Sequence, residues 1–156
     1  MPYLHGGTCH YRPNRGHRSG LEDAIADEIK AAEDVVSYEE HRLTYTVPEE
    51  PHTYTPDFVL KNGIIIEAKG LFEASDRKKH LLIQKEHPSL DIRFVFSNPQ
   101  TKLNKGSKTT YALWCEKHGF KYARKLIPMA WFLEPKRLTK GLERKVNPHV
   151  DPKETC

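Results

Sequence analysis

Thr53-Tyr54-Thr55-Pro56-Asp57-Phe58-Val59-Leu60-Lys61-Asn62-Gly63-Ile64-Ile65-Ile66-Glu67-Ala68-Lys69 reads as two strands, Thr53 to Leu60 and Ile64 to Lys69, joined across Lys61-Asn62-Gly63. The turn decides what the hairpin can do. If Asn62-Gly63 closed a two-residue turn, Lys61 would pair with Ile64, and the carboxylates of Asp57 and Glu67 would point to opposite faces. A three-residue loop with Gly63 in the left-handed region instead pairs Leu60 with Ile64 and sets Asp57 opposite Glu67, with Lys69 on the same face two residues later. We expect the three-residue loop, or an equivalent bulge near Pro56. Hard divalent cations such as magnesium take oxygen ligands, and carboxylates on neighbouring strands hold them rigidly. Ile65 shares the face of Glu67 and Lys69, so ionisable groups enter at the end of an apolar strand and need partners there. A metal or a phosphate is one such partner; the plainer alternative is a cross-strand ion pair of Lys69 with Asp57 or Glu67.

Outward from this hairpin the chain alternates helix and strand signals. Ser19 caps a helix running to about Asp34, with Glu22 placed to complete a capping box and Leu21, Ile25, Ile29 and Ala32 forming an apolar stripe. Leu43, Tyr45 and Val47 alternate with Thr44 and Thr46, predicting a strand within Val35 to Val47 that Pro48-Glu49-Glu50-Pro51 interrupts. A second helix is expected from a Ser75 cap to His87, then a buried strand from Asp91 to Phe96. That strand, helix, strand order is a crossover unit, so the sheet should be mixed. A third helix spans Thr109 to His118 and ends at Gly119, Phe120 to Ala123 is a short strand, and Pro128 opens a last short helix with Trp131 and Phe132. After Glu134 no apolar periodicity remains. The class is mixed α/β.

The 156 residues include 25 Lys+Arg against 21 Asp+Glu, a formal net charge of +4. This small surplus hides opposed parts. Residues 1–18 hold Arg12, Arg15 and Arg18 and no acid, residues 19–50 hold ten acids against Lys30 and Arg42, and residues 70–156 hold 18 basic against 9 acidic residues. An acidic element beside basic surfaces suits a polyanion such as nucleic acid. No apolar run reaches bilayer-spanning length and the N-terminus lacks a signal-peptide layout, so membrane and secreted classes are not expected. Three widely spaced cysteines, Cys9, Cys115 and Cys156, fit a reducing compartment. No cysteine pair has zinc-finger spacing, so zinc at Cys9, His10 and His17, or at Cys115 and His118, is a minor alternative.

Pro56-Asp57 followed by Glu67-Ala68-Lys69 matches the PD-(D/E)xK nuclease signature. Ser19-Gly20-Leu21-Glu22-Asp23, His52 to Phe58, Asn62-Gly63-Ile64, Lys69-Gly70-Leu71, Asp76 to Ile83, Lys117-His118-Gly119 and Lys125-Leu126-Ile127-Pro128 together resemble, in one colinear order over residues 18–135, the endonuclease I family of T-odd coliphages, which are Holliday-junction resolvases. The resemblance implies a restriction-endonuclease-like mixed sheet flanked by helices. It also implies a domain-swapped homodimer in which residues 18–47 are exchanged across a bridge at 48–52, inside a nuclease domain of residues 18–135 with a flexible basic arm (1–17) and a flexible tail (136–156).

Carried over by resemblance, the catalytic residues are Glu22, Asp57, Glu67 and Lys69. Asp57, Glu67, the Ala68 carbonyl and Glu22 are the ligands of one or two magnesium ions, with manganese also expected to support activity. For Glu22 the capping role competes with the metal role, and a metal-facing Glu22 would leave the cap to Ser19. The implied activity is metal-dependent hydrolysis of branched DNA, with no small-molecule cofactor and no membrane, in the cytoplasm of an infected bacterial host. DNA contacts are expected from Arg12, Arg15 and Arg18, from Arg77, Lys78 and Lys79 at the start of the second helix, and from Lys102, Lys105 and Lys108 in a Gly/Ser loop. The alternatives are a mismatch-directed or structure-blind endonuclease with the same site, or a non-catalytic DNA-binding module.

Overall fold

The computed structural model describes residues 19–47 and 50–145. Arg12, Arg15, Arg18, Pro48, Cys9 and Cys156 lie outside them. The elements are α1 (Gly20–Ala31), β1 (His41–Val47), β2 (Glu50–Tyr54), β3 (Phe58–Val59), β4 (Ile65–Lys69), α2 (Ala74–Glu86), β5 (Ile92–Phe96), α3 (Tyr111–His118), β6 (Lys121–Arg124), α4 (Met129–Phe132) and β7 (Leu142–Arg144). They form a four-stranded sheet of order β3-β4-β5-β6 and a three-stranded sheet of order β2-β1-β7. In the first, β3 runs antiparallel to β4 whereas β4, β5 and β6 are parallel, which is the mixed sheet the crossover pattern predicts.

Alternation along β4 and β5 divides the core. Ile65, Phe94 and Phe96 face α2, α3 and the second sheet, packing with Ile83, Trp114, Leu43 and Tyr54. Ile66, Ala68 and Val95 face α1, where Ile25, Ala26 and Ile29 deliver the apolar stripe, and α4, which contributes Trp131. Sequence alone placed this burial correctly, because two faces covered by helices demand an unbroken apolar strand.

The turn after β3 takes the three-residue form. Leu60 N–H donates to Ile64 O and Gly63 N–H to Leu60 O, each at 2.8 Å, and Gly63 sits at φ +88°. Phe58 pairs with Ile66 and Val59 with Ile65, a register that continues to Asp57 opposite Glu67.

Four expectations about elements are corrected. The Thr53–Leu60 strand is split: Tyr54 ends β2, which pairs with β1, and only Phe58–Val59 pairs with β4, because Pro56 has no N–H to give a ladder. The strand expected from Val35 begins at His41, since Glu39 adopts φ +48° and sends its N–H to Asp57 O at 2.9 Å, out of any β1 ladder. The first helix stops at Ala31, with Glu33 at φ +58° turning the chain away. The cap of α2 is Glu73, whose N–H donates to Asp76 at 3.2 Å, not Ser75. Residues 50–52, within the expected 48–52 bridge, lie in β2, paired with β1 at the sheet edge, where Pro51 is tolerated.

The chain beyond Pro135 also belongs to the fold as far as residue 145. Leu142–Arg144 pairs with β1, and Arg137 N–H donates to Asn62 O at 2.8 Å. The anchor is Arg93 of β5, fully buried, which donates to Asp91 at 2.8 and 2.7 Å and to Glu134 at 2.8 and 2.7 Å while its guanidinium lies 4.9 Å from the Trp131 ring centre. Arg137 adds ion pairs to both Asp91 and Glu134. Among the described residues no helix is long and apolar enough to cross a membrane.

Candidate active site

The first turn of α1, the end of β2 and the C-terminal end of β4 enclose a cleft of about 360 Å³ lined by Glu22, Tyr54, Asp57, Glu67, Lys69 and Lys79, with Glu39 and the backbone of Ala68 beside them. The three-residue turn brings Asp57 and Glu67 to the same cleft. Glu67 is buried at the point where β4 passes beneath α2, and Lys69 follows at the strand end. Ser97 N–H donates to Lys69 O at 3.2 Å, so the loop after β5 leaves from the same edge of the parallel strands as the cleft.

Each charged group has built-in neighbours. Asp57 Oδ2 accepts the Ala68 N–H at 2.9 Å. Glu67 Oε2 accepts from the Tyr54 hydroxyl at 2.6 Å, and its Oε1 faces Lys69 Nζ at 3.4 Å and His80 Nε2 at 3.6 Å. Lys69 Nζ also donates to Asp76 at 3.1 Å. Ser19 Oγ takes the Glu22 N–H at 3.2 Å and thus caps α1, while the Glu22 carboxylate accepts from the Tyr38 hydroxyl at 2.6 Å and lines the cleft.

The two strand carboxylates titrate far apart. Burial, then the neighbouring Glu67 charge, pushes Asp57 up to about 8, against the Ala68 N–H and Lys69. Burial alone would also raise Glu67, but the His80 imidazole, Lys69 and the Tyr54 hydroxyl outweigh it and hold the group down at about 2. Of this coupled pair, burial and the Glu67 charge bias Asp57 toward its protonated form, while Glu67 is held as the carboxylate. Burial opposes the charge of Lys69, yet Glu67 and Asp76 raise its pKa, so it is a cation throughout the neutral range. Tyr54, buried beside Glu67, stays protonated and remains a donor.

The sign of the pH effect follows. The folded chain holds a proton on Asp57 up to about pH 8, whereas the unfolded chain loses it near 3.8, so the metal-free protein loses stability from this group as pH climbs between those values. Asp57→Asn should remove that slope and melt above the wild type at pH 8 in chelator, each kcal/mol of relief being worth about 2–4 °C at this size. Melting curves at pH 5 and pH 8 check it; a variant that melts below wild type at pH 8 would contradict it.

Whether these residues suit a cation can be judged from the donors. Among the described residues no set of three or more His, Cys, Asp or Glu side chains is closed around a common point. The candidate donors lining the cleft, Glu22, Asp57, Glu67 and the Ala68 carbonyl, are all oxygens. Magnesium keeps several waters and binds through one or two carboxylates together with substrate phosphates, so an open, incomplete set of hard donors fits it.

The remaining expected contacts divide. Lys102, Lys105 and Lys108 are exposed on the loop between β5 and α3. Lys78 is exposed, and Lys79 borders the cleft with its ammonium 5.3 Å from the Tyr54 ring centre. Arg77 is turned inward, its guanidinium donating to Phe72 O at 2.6 Å and lying 6.0 Å from the Phe72 ring centre. Tyr54, Asp76 and His80 did not stand out in the sequence. Tyr54 precedes Pro56 by two positions, but its aim at Glu67 depends on β2 leaving the hairpin, and nothing in the order of residues signals that.

Comparison with known proteins gives first the class, and the class is nuclease. Endonuclease I of Escherichia phage T7 is 56% identical over 120 residues, covering 77% of this chain and 80% of that protein. Endodeoxyribonuclease 1 of Enterobacteria phage T3 is 54% identical over 123 residues, covering 79% of this chain and 81% of that protein. A family model described as Phage endonuclease I matches residues 6–147. The chain belongs to the phage endonuclease I family.

Proposed function

We propose that this nuclease is selective for DNA structure, cutting four-way Holliday junctions and other branched DNA by magnesium-dependent phosphodiester hydrolysis at the cleft of Asp57, Glu67 and Lys69. The observation that carries this reading is geometric: Asp57 and Glu67 face one cleft, with Lys69 Nζ 3.4 Å from Glu67. Asp57, Glu67, the Ala68 carbonyl and Glu22 would hold the cation. When bound, magnesium acidifies water and offsets charge on the phosphate.

The chain's own groups do the rest. Lys69, charged and 3.4 Å from Glu67, is placed to orient the attacking water or to neutralise charge building on the phosphorus centre. Lys79 at the cleft mouth can hold the adjoining phosphate. The exposed Lys102, Lys105 and Lys108 supply backbone contacts along a DNA arm.

The enzyme acts as a homodimer in the cytoplasm of the infected host, with residues 18–47 exchanged. Within one chain α1 already brings Glu22 to the cleft. An exchange opening at residues 48–49 keeps every β1–β2 pairing and substitutes the partner copy's first helix. Two sites in one symmetric body suit paired incisions.

The test is cleavage of a four-way junction beside its matched linear duplex in magnesium. Junction cutting faster by an order of magnitude is expected; equal rates would favour the structure-blind alternative. Neutralising Lys102, Lys105 and Lys108 together should weaken junction binding and reduce the slope of log affinity against log salt by about two to three. An unchanged slope would remove that loop from the interface.

A further inference from the structure

His80 is on the inner face of α2 with no solvent exposure, and among the described residues neither ring nitrogen has a hydrogen-bond partner in the resting geometry. Its walls are apolar: Tyr54 and Phe94 meet the ring edge-on at centroid distances of 5.2 and 4.9 Å, and Ile83 is the other buried side chain of α2. An unsatisfied polar ring in such a place costs about 1–3 kcal/mol, and a methionine or leucine would fill the space without that cost. A packing role alone therefore leaves the imidazole unexplained.

Its Nε2 approaches Glu67, 3.6 Å from Oε1. We propose that His80 is a positioning residue that fixes the Glu67 carboxylate for the cation; this rests on the cation-dependent reading of the site. The terminal torsion of a glutamate is broad and roughly two-fold, so a lone carboxylate can swing. Here Oε2 is tied to the Tyr54 hydroxyl at 2.6 Å, and Oε1, the oxygen nearest Lys69, is approached by His80 from α2. In the Nε2–H tautomer the ring gives its donor to Glu67 and leaves only a lone pair on Nδ1 against the aromatic wall, the cheaper of the two orphans. The contact shortens to a hydrogen bond when the site is loaded, as resting catalytic contacts commonly do. The resulting order, imidazole to carboxylate to cation, is the kind of outer support that sets metal affinity.

Met and Gln are near in shape and flexibility, and only Gln keeps an N–H donor, so H80M and H80Q separate donation from packing. Manganese titrated calorimetrically into the DNA-free full-length protein should bind H80M about 10–100-fold more weakly than wild type. H80Q should recover most of the loss. Junction affinity in chelator should stay within twofold for both, and the magnesium concentration for half-maximal cleavage should rise in H80M more than the saturated rate falls. Equal manganese affinity in H80M and wild type, or in H80M and H80Q, overturns the proposal. So does loss of cooperative melting in H80M or in both variants, which would assign the ring to the core. Absence of manganese binding to the wild type is a different result: it removes the cation reading itself.

Discussion

Glu67→Ala and Asp57→Ala should each bind a four-way junction in chelator as tightly as the wild type and should fail to cut it when magnesium is added. Binding should survive because the proposed DNA contacts lie outside the carboxylate pair: Lys102, Lys105, Lys108 and Lys78 are exposed and take no part in holding these carboxylates. Cleavage fails because each change removes one of the few donors along the cleft wall. Loss of several kcal/mol of charge stabilisation is worth a factor of about a thousand or more in rate. Glu67→Ala carries the heavier consequence, since it also strips Tyr54, Lys69 and His80 of their shared acceptor. Gel-shift titration in chelator and single-turnover cleavage of the bound junction measure the two halves separately. Cleavage retained in either variant refutes the assignment.

Arg93→Ala should unfold the protein at a much lower temperature. The guanidinium is fully buried and makes four hydrogen bonds to Asp91 and Glu134. Truncation leaves two carboxylates facing a cavity with only Arg137 to answer them, and breaking a buried pair in this way costs about 3–5 kcal/mol. At about 2–4 °C per kcal/mol the melting temperature should fall by roughly 10 °C. Arg93 holds Glu134 down at about 2, so this group's contribution is fully present above the ordinary value of 4.5 and is lost progressively as pH falls from there toward about 2. Arg93→Met, which fills the space but still leaves the acids, should lie between. A shift under about 2 °C in the alanine variant would show that this cluster does not anchor residues 134–137.

Much of this molecule can be read before its coordinates are seen, for reasons that are local. Gly63 in a three-residue turn sets Asp57 opposite Glu67, and that one register, taken from the turn chemistry, decides whether a site exists. Gly119 at φ +76° ends α3 where a left-handed glycine cap is expected, and the unbroken apolar run from Ile92 to Phe96 announces a strand covered on both faces.

The less legible parts depend on partners distant in the chain. β7 has one apolar residue, Leu142, and becomes a strand only because Leu43 lies across from it. Arg93 looks like a solvent-facing interruption of an apolar strand until Glu134, 41 positions later, comes to meet it. Glu22 offered two readings from its spacing, a cap and a ligand, and the two separate only in three dimensions: Ser19 takes the cap, and Tyr38, from the irregular stretch before β1, turns the carboxylate toward the cleft. The support around Glu67 is hidden for the same reason, because Tyr54 and His80 reach it from opposite sides along different elements.

The most direct measurement of the central claim is magnesium-triggered cleavage of a pre-bound junction. Wild-type protein and a labelled four-way junction are mixed in chelator until binding is complete, and magnesium is then added in excess. The account predicts no cutting before the addition, and paired cuts in the arms of the junction after it. Cutting in chelator at a comparable rate, or a bound junction left whole in magnesium and in manganese, would contradict it.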